Sequence, residues 1–248
     1  VTDTFRARFT AIAHADLPYC NPISVAKHDR VLDGLGDHRG LRVFDAGCGR
    51  ADLLARLAQR FDARGVGVDL NARLLEDGRR RLAQRCPDAD ITLVEADLTQ
   101  YPSPEEPFDL VACVGGPFAR FGPMWAALGR FLRPGGRLLW GGPYWQRSPA
   151  EEYLAFLGVG ADTYCDHGQN ILEARDLGLV PLYAAVTNQD EWDDYEGTYA
   201  GAIERHLLAH PDDPDAEAMR QRIRPWQEAY LRWGRGTLGF GLYLFAAP

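Results

Sequence analysis

No stretch of this 248-residue chain is apolar enough to cross a membrane, and Val1 to Phe9 already contains Asp3, Arg6 and Arg8, so no signal-like start is expected either. Basic residues do not outnumber acidic ones: 27 Lys and Arg stand against 35 Asp and Glu, for a net charge of −8 and a pI near 5.3. No nucleic-acid partner is therefore expected, because such binders carry a basic face. The local basic run, Arg79, Arg80 and Arg81 with Arg85, reads as the solvated face of a helix. Cysteine is scarce and odd in number; Cys20, Cys48, Cys86, Cys113 and Cys165 include no C-x-x-C pair, which fits a reduced, cytoplasmic protein. Cys165-Asp166-His167 lacks the spaced partners of a metal centre, so no metal is expected. What is present is 46% hydrophobic, enough for one α/β domain with a core of its own.

That domain is organised around Leu41 to Asp52. An apolar run ends in Asp45, turns through Gly47 and Gly49, and leads into Leu53, Leu54, Leu57 and Ala58 at helical spacing: strand, tight turn, helix. In an open α/β sheet, ligands bind outside the carboxyl ends of strands, where glycines let a ligand lie against the backbone. Asp69 closes the next apolar run, Arg64 to Asp69, at the distance past the glycines where a carboxylate commonly holds a ribose diol. Asp97 follows a third run, Ile91 to Val94. Any one of these acids reads equally well as solvated or as a helix cap; three at successive strand ends form a constellation. The turn is not of the dinucleotide type, since Asp52 stands where Gly-x-Gly-x-x-Gly has its last glycine. An acid beside the turn also suits a cationic group better than a pyrophosphate, which prefers a bare helix N-terminus.

Five segments carry a resemblance: Val43-Phe44-Asp45-Ala46-Gly47-Cys48-Gly49, Val66-Gly67-Val68-Asp69, Glu95-Ala96-Asp97-Leu98, Phe108-Asp109-Leu110-Val111 and Leu132-Arg133-Pro134-Gly135-Gly136. In order and spacing, over about Leu41 to Trp140, they resemble the class I methyltransferases that use S-adenosylmethionine. A frequent third glycine is replaced by Ala51, so a slightly wider turn is expected there. The resemblance implies an α/β, Rossmann-like seven-stranded fold, mostly parallel with an antiparallel last strand. It also implies roles. Asp45, Ala46, Gly47, Cys48 and Gly49 would face the methionine part of the cofactor, Asp69 and Leu70 the ribose, and Asp97 and Leu98 the adenine. Cys113 and Val114, ending the fourth strand, join this cofactor set. His14 with Asn21-Pro22, Pro143-Tyr144-Trp145, Asp190 to Glu196 and Gly239-Phe240-Gly241 extend the likeness to a bacterial group without an assigned substrate.

The chain divides into an N-terminal helical cover (1–38), a core (39–188 and 234–248) and a helical cap inserted between strands six and seven (189–233). Helices are expected from Thr2 to Ala13 and, capped by Ser24, through Leu35. Core strands are expected near 41–45, 64–69, 90–94, 108–114, 136–141, 180–187 and 237–245. Helices fall near 51–60, 71–85, 121–132, 151–157 and 170–177, with cap helices at 190–210 and 215–233. Tyr144 and Trp145, read as following the fifth strand, either wall a pocket or pack beneath the next segment. Trp192, Tyr195, Glu196 and Tyr199 share one helix face; such a stripe is ordinarily core, and the acid among rings is the unusual part.

The expected activity is methyl transfer to a small-molecule acceptor by direct displacement, which needs alignment and a dry site more than a dedicated catalytic group. For an acceptor bearing a proton, His14 is the candidate base and Tyr144 the candidate positioner. Tyr19, Trp145, Trp192, Glu196 and Tyr199 are the candidate substrate contacts. Absence of Asn-Pro-Pro-Tyr after strand four removes the usual signature of base methylation. The rivals are a subunit that binds S-adenosylmethionine without transferring its methyl, and a nicotinamide-dependent oxidoreductase.

Overall fold

Strand-forming runs separated by amphipathic helices fold here into a sheet covered on both faces. The computed structural model describes residues 3–248, apart from the side chains of residues 3 and 99; Thr2, expected in the first helix, lies outside the described residues. The strands are β1 (Arg42–Ala46), β2 (Arg64–Asp69), β3 (Ile91–Glu95), β4 (Phe108–Val114), β5 (Leu132–Trp145), β6 (Val180–Val186) and β7 (Leu238–Ala246). They pair in the order β3-β2-β1-β4-β5-β7-β6, with β7 antiparallel to both of its neighbours and the other pairs parallel. Strand order reverses between β1 and β4, which makes their carboxyl ends the switch point at which α/β sheets open a crevice.

The helices are α1 (Asp3–Ala13), α2 (Val25–Asp33), α3 (Asp52–Phe61), α4 (Ala72–Arg85), α5 (Phe121–Leu128), α6 (Glu151–Leu157), α7 (His167–Asp176), α8 (Gln189–Ala209) and α9 (Ala216–Arg232). Alternation along the strands builds two cores. Val43, Leu110, Leu139 and Leu242 pack with Val31, Leu54 and Leu57 on one face, and Phe44, Val111, Trp140 and Tyr243 pack with Phe121 and Met124 on the other. A third cluster joins Phe5 and Phe9 of α1 to Ile203 of α8 and Met219 of α9, so the N-terminal helix docks on the insertion. Arg8 reinforces that contact by pairing with Asp213 and, at 2.6 Å, with Asp215. No helix among the described residues is long and apolar enough to cross a membrane.

Three boundaries depart from expectation. β5 runs from Leu132 to Trp145, so Pro134-Gly135-Gly136 lies inside it, at a register shift where Phe108 pairs with Leu132 but Leu110 with Arg137. Its far end is held by β7, whose pairing continues through Tyr144↔Gly239 and Trp145↔Leu238. Tyr144 and Trp145 are thus strand residues, not loop residues. α7 starts at His167 rather than 170 because Asp166 and Gln169 form a reciprocal capping box. α5 stops at Leu128 and tightens into a 3-10 turn.

Candidate active site

The turn after β1 is built from backbone that only small residues tolerate. Gly47 and Gly49 take φ of +80° and +52°, and Ala51 adopts φ +58° where a third glycine is frequent, a left-handed conformation that costs a residue with a Cβ about 1 kcal/mol. Gly47 and Cys48 donate their N–H groups to the Val68 carbonyl at 2.8 and 3.1 Å, tying the turn to β2. The Asp69 carboxylate accepts from Gly49 N–H at 2.9 Å and Asn71 N–H at 2.8 Å, one on each oxygen. Those two donors orient it toward the crevice rim while leaving lone pairs on both oxygens for a further donor.

Two hollows meet at Gly47. One, narrow, is lined by Tyr19, Asn21, Asp45, Arg50, Asp52 and Val114 with the glycine turn. The other, wider at about 340 Å³, is lined by Asp69, Leu70, Asp97, Leu98, Gly115 and Pro117. Asp45, at the floor of the first, is 3% exposed. Burial, with the Asp69 charge nearby, pushes its carboxyl up to about 7. Arg50, 2% exposed, donates to the carbonyls of His14 at 2.5 Å, Ala15 at 3.1 Å and Leu17, and lies 3.3 Å from Asp52. Asp52 also faces Arg85 at 3.0 Å and Arg81 at 3.4 Å. The segment after α1 is thereby strapped across the turn, with Cys20 against Gly49 and Gly115.

The structure sorts the sequence-predicted residues. Tyr19, Asp45, Gly47, Cys48, Gly49 and Val114 line the first hollow; Gly47, Asp69, Leu70, Asp97 and Leu98 line the second. Ala46 and Cys113 line neither: both are buried, and the Cys113 thiol packs toward Gly116. Tyr19 stacks on His28 with centroids 3.8 Å apart.

The two catalytic candidates are placed elsewhere. His14 hydrogen-bonds the Thr10 carbonyl through Nδ1 at 2.8 Å, so Nδ1 carries the proton and Nε2, 3.1 Å from Tyr195 Oη, accepts. Burial pushes its pKa down to about 4, and both nitrogens are engaged, which corrects its reading as a free base. Tyr144 packs over Gly239 and beside His167, centroids 5.6 Å apart, and lines neither hollow. Trp145 donates Nε1 to the Ala161 carbonyl at 2.9 Å and packs on Tyr164; it is a core residue rather than a pocket wall. Tyr199 is likewise structural, set edge-on to His14 and Phe9. Its helix face divides: Tyr195 and Tyr199 turn to α1, whereas Trp192 and Glu196 line a separate hollow with Tyr153, Phe156, Trp226 and Tyr230.

Sequence reasoning missed Arg50, because nothing local distinguishes a buried arginine from a solvated one. It missed the α6 and α9 aromatics, whose partners lie far away in the chain. His206 in the last turn of α8 and His210, which caps that helix, are also without a sequence signal; their rings lie 4.7 Å apart and His206 Nε2 meets Asp213 at 2.8 Å. Among the described residues no group of three or more His, Cys, Asp or Glu is placed to hold a metal ion.

An acid-rimmed glycine turn at the switch point of a seven-stranded sheet with an antiparallel last strand defines the class I methyltransferase architecture. Residues 43–136 match the model of the methyltransferase domain family, which together with the fold supports reading the chain as an S-adenosylmethionine-dependent methyltransferase. The uncharacterized protein YjhP of Escherichia coli is 27% identical over 244 residues, 97% of this chain and 98% of its own; its X-ray structure superposes with a TM-score of 0.88. A methyltransferase from Thiobacillus denitrificans, solved in complex with S-adenosyl-L-homocysteine, is 26% identical with a TM-score of 0.87, covering 100% of this chain and 99% of that one. The 27-O-demethylrifamycin SV methyltransferase of Amycolatopsis mediterranei is 26% identical over 211 residues, 81% of this chain and 77% of its own.

Proposed function

We propose that this methyltransferase acts on a small-molecule acceptor and holds S-adenosylmethionine across Gly47, with one end in each hollow. The observation that carries the reading is the joining of the two hollows at a residue without a side chain. Their chemistry fits the two halves of the cofactor. The narrower hollow presents buried charge of both signs, Asp45 and Arg50, as the zwitterionic amino-acid end requires. The wider one presents the oriented Asp69 carboxylate for a diol, and Leu98 beside Asp97 for a flat apolar ring. When bound, the cofactor supplies a sulfonium methyl that an acceptor lone pair displaces.

The chain contributes position and dryness. Arg50 holds the segment from His14 to Leu17 over the glycine turn, excluding water from the buried acid. His14, neutral and tied to Thr10 and Tyr195, acts as a positioning residue that fixes the cover against α8. Tyr144 is assigned to packing of the β5–β7 edge. A small acceptor is supported by the acidic net charge and by the relative whose name gives 27-O-demethylrifamycin SV as its acceptor.

The test is a labelled-methyl incubation with a metabolite extract and with macromolecular fractions. Label in a small metabolite is expected. Label confined to protein or nucleic acid, or none at all despite bound cofactor, overturns the small-acceptor reading.

A further inference from the structure

The hollow lined by Trp192 and Glu196 lies among α6, α8, α9 and the start of β7 and is partly open to solvent at Phe156 and Trp226. Its wall is aromatic: Tyr153, Phe156, Trp192, Trp226 and Tyr230. One carboxyl group stands in it, that of Glu196, 6% exposed. Trp226 Nε1 donates to Glu196 Oε2 at 2.7 Å, and no Lys, Arg or His among the described residues forms an ion pair with it. In the same wall the Trp192 Nε1–H, on a side chain 7% exposed, is buried with no hydrogen-bond partner. Two residues lining one hollow thus carry unmet polar groups, one lacking a counter-ion and the other an acceptor.

Packing alone does not explain them. A buried acid without a cation opposes folding, as does an orphaned indole N–H, and an apolar residue of similar size at either place would remove the cost. The penalty disappears when a ligand brings what is missing. Aromatic rings attract cations, and a carboxylate among them neutralises one. Burial and then the charge of Glu196 raise the pKa of Tyr153, whereas at Tyr230 burial and the hydrogen bond to Asp193 come first and Glu196 adds less.

We propose that this hollow binds the ammonium group of a small organic amine, with Glu196 as its counter-ion and the surrounding rings as its cage. Trp192 belongs to the same extended apolar core, on one face of the sheet, as Tyr19 and Val114, which line the methionine-side hollow. Calling that occupant the methyl acceptor rests on the reading under Proposed function; the binding itself does not.

Choline and its uncharged isostere 3,3-dimethylbutan-1-ol separate charge from shape. Titration of the full chain, followed by tryptophan emission, is expected to show saturable choline binding at least about tenfold tighter than binding of the alcohol. Glu196→Gln keeps an acceptor for Trp226 and is expected to lose about tenfold in choline affinity while its circular dichroism and its affinity for the alcohol stay unchanged. Equal binding of the two probes, equal choline binding by Glu196→Gln, or no saturation below about 100 mM overturns the proposal. Calorimetry with S-adenosylhomocysteine runs alongside: binding there with no ammonium effect removes this proposal alone, whereas failure there removes the cofactor reading and leaves the ammonium result standing.

Discussion

Asp45 and Glu196 are the same chemical group held in two different ways. Both are buried, both carboxyls are pushed up to about 7 chiefly by burial, and among the described residues neither forms an ion pair with a cation of the chain. Asp45 is placed by backbone: a strand end, a glycine turn, and a neighbouring strand that ends in Asp69. Glu196 is placed by side chains that arrive from α6, α8 and α9. The shared feature is an acid left without a cation of the chain, which on the readings proposed above a ligand supplies. The difference teaches that the first region is set by local geometry and the second by tertiary packing, so the two respond independently to perturbation.

The largest effect that separates them is expected at Arg50. Arg50→Met strips the carbonyls of His14, Ala15 and Leu17 of their donor and leaves buried Asp52 with Arg81 and Arg85 alone. Stability is expected to fall by about 2–4 kcal/mol, read from the urea midpoint, and the segment around Tyr19 to become open to proteolysis. Choline binding at the aromatic hollow should survive under native conditions. If it collapses together with the cover, the regions are one unit and the contrast fails.

A smaller effect lies in pH. With the folded Asp45 carboxyl near 7, the unliganded site is largely protonated at pH 6, and a ligand ammonium favours the ionised form. S-adenosylhomocysteine binding is therefore expected to release a proton and to weaken about tenfold between pH 8 and pH 6. In the unliganded chain the sign is opposite: a carboxyl raised above its unfolded value costs stability as pH climbs from about 4 to 7 and no more above that. Asp45→Asn flattens the binding profile, whereas Glu196→Gln, acting in the other hollow, leaves it as it is. Calorimetry in buffers of different ionisation enthalpy reads both the affinity and the proton count.

The same contrast governs what the sequence made legible. The sheet, the glycine turn and the acids at 45, 69 and 97 are readable because strand period, turn chemistry and strand-end position act over a few residues. β5 was read too short because its reach is set by pairing with β7, some hundred residues away in the chain. Tyr144 and Trp145 were then taken for loop residues when they are strand residues. The face of α8 was read as one stripe, but α1 claims Tyr195 and Tyr199 while α9 meets Glu196 through Trp226, and no helical periodicity records which neighbour covers which turn. Arg50 escaped, and His14 reads as a base, for the same reason: burial, the property that decides what they do, is tertiary.

A crystal structure of the chain with S-adenosylhomocysteine tests the central claim most directly. The account predicts the ribose hydroxyls on Asp69, the adenine beside Leu98 and the amino group at Asp45, with the thioether passing over Gly47. A nucleoside lodged in the aromatic hollow, or a ligand whose sugar makes no contact with Asp69, would contradict it.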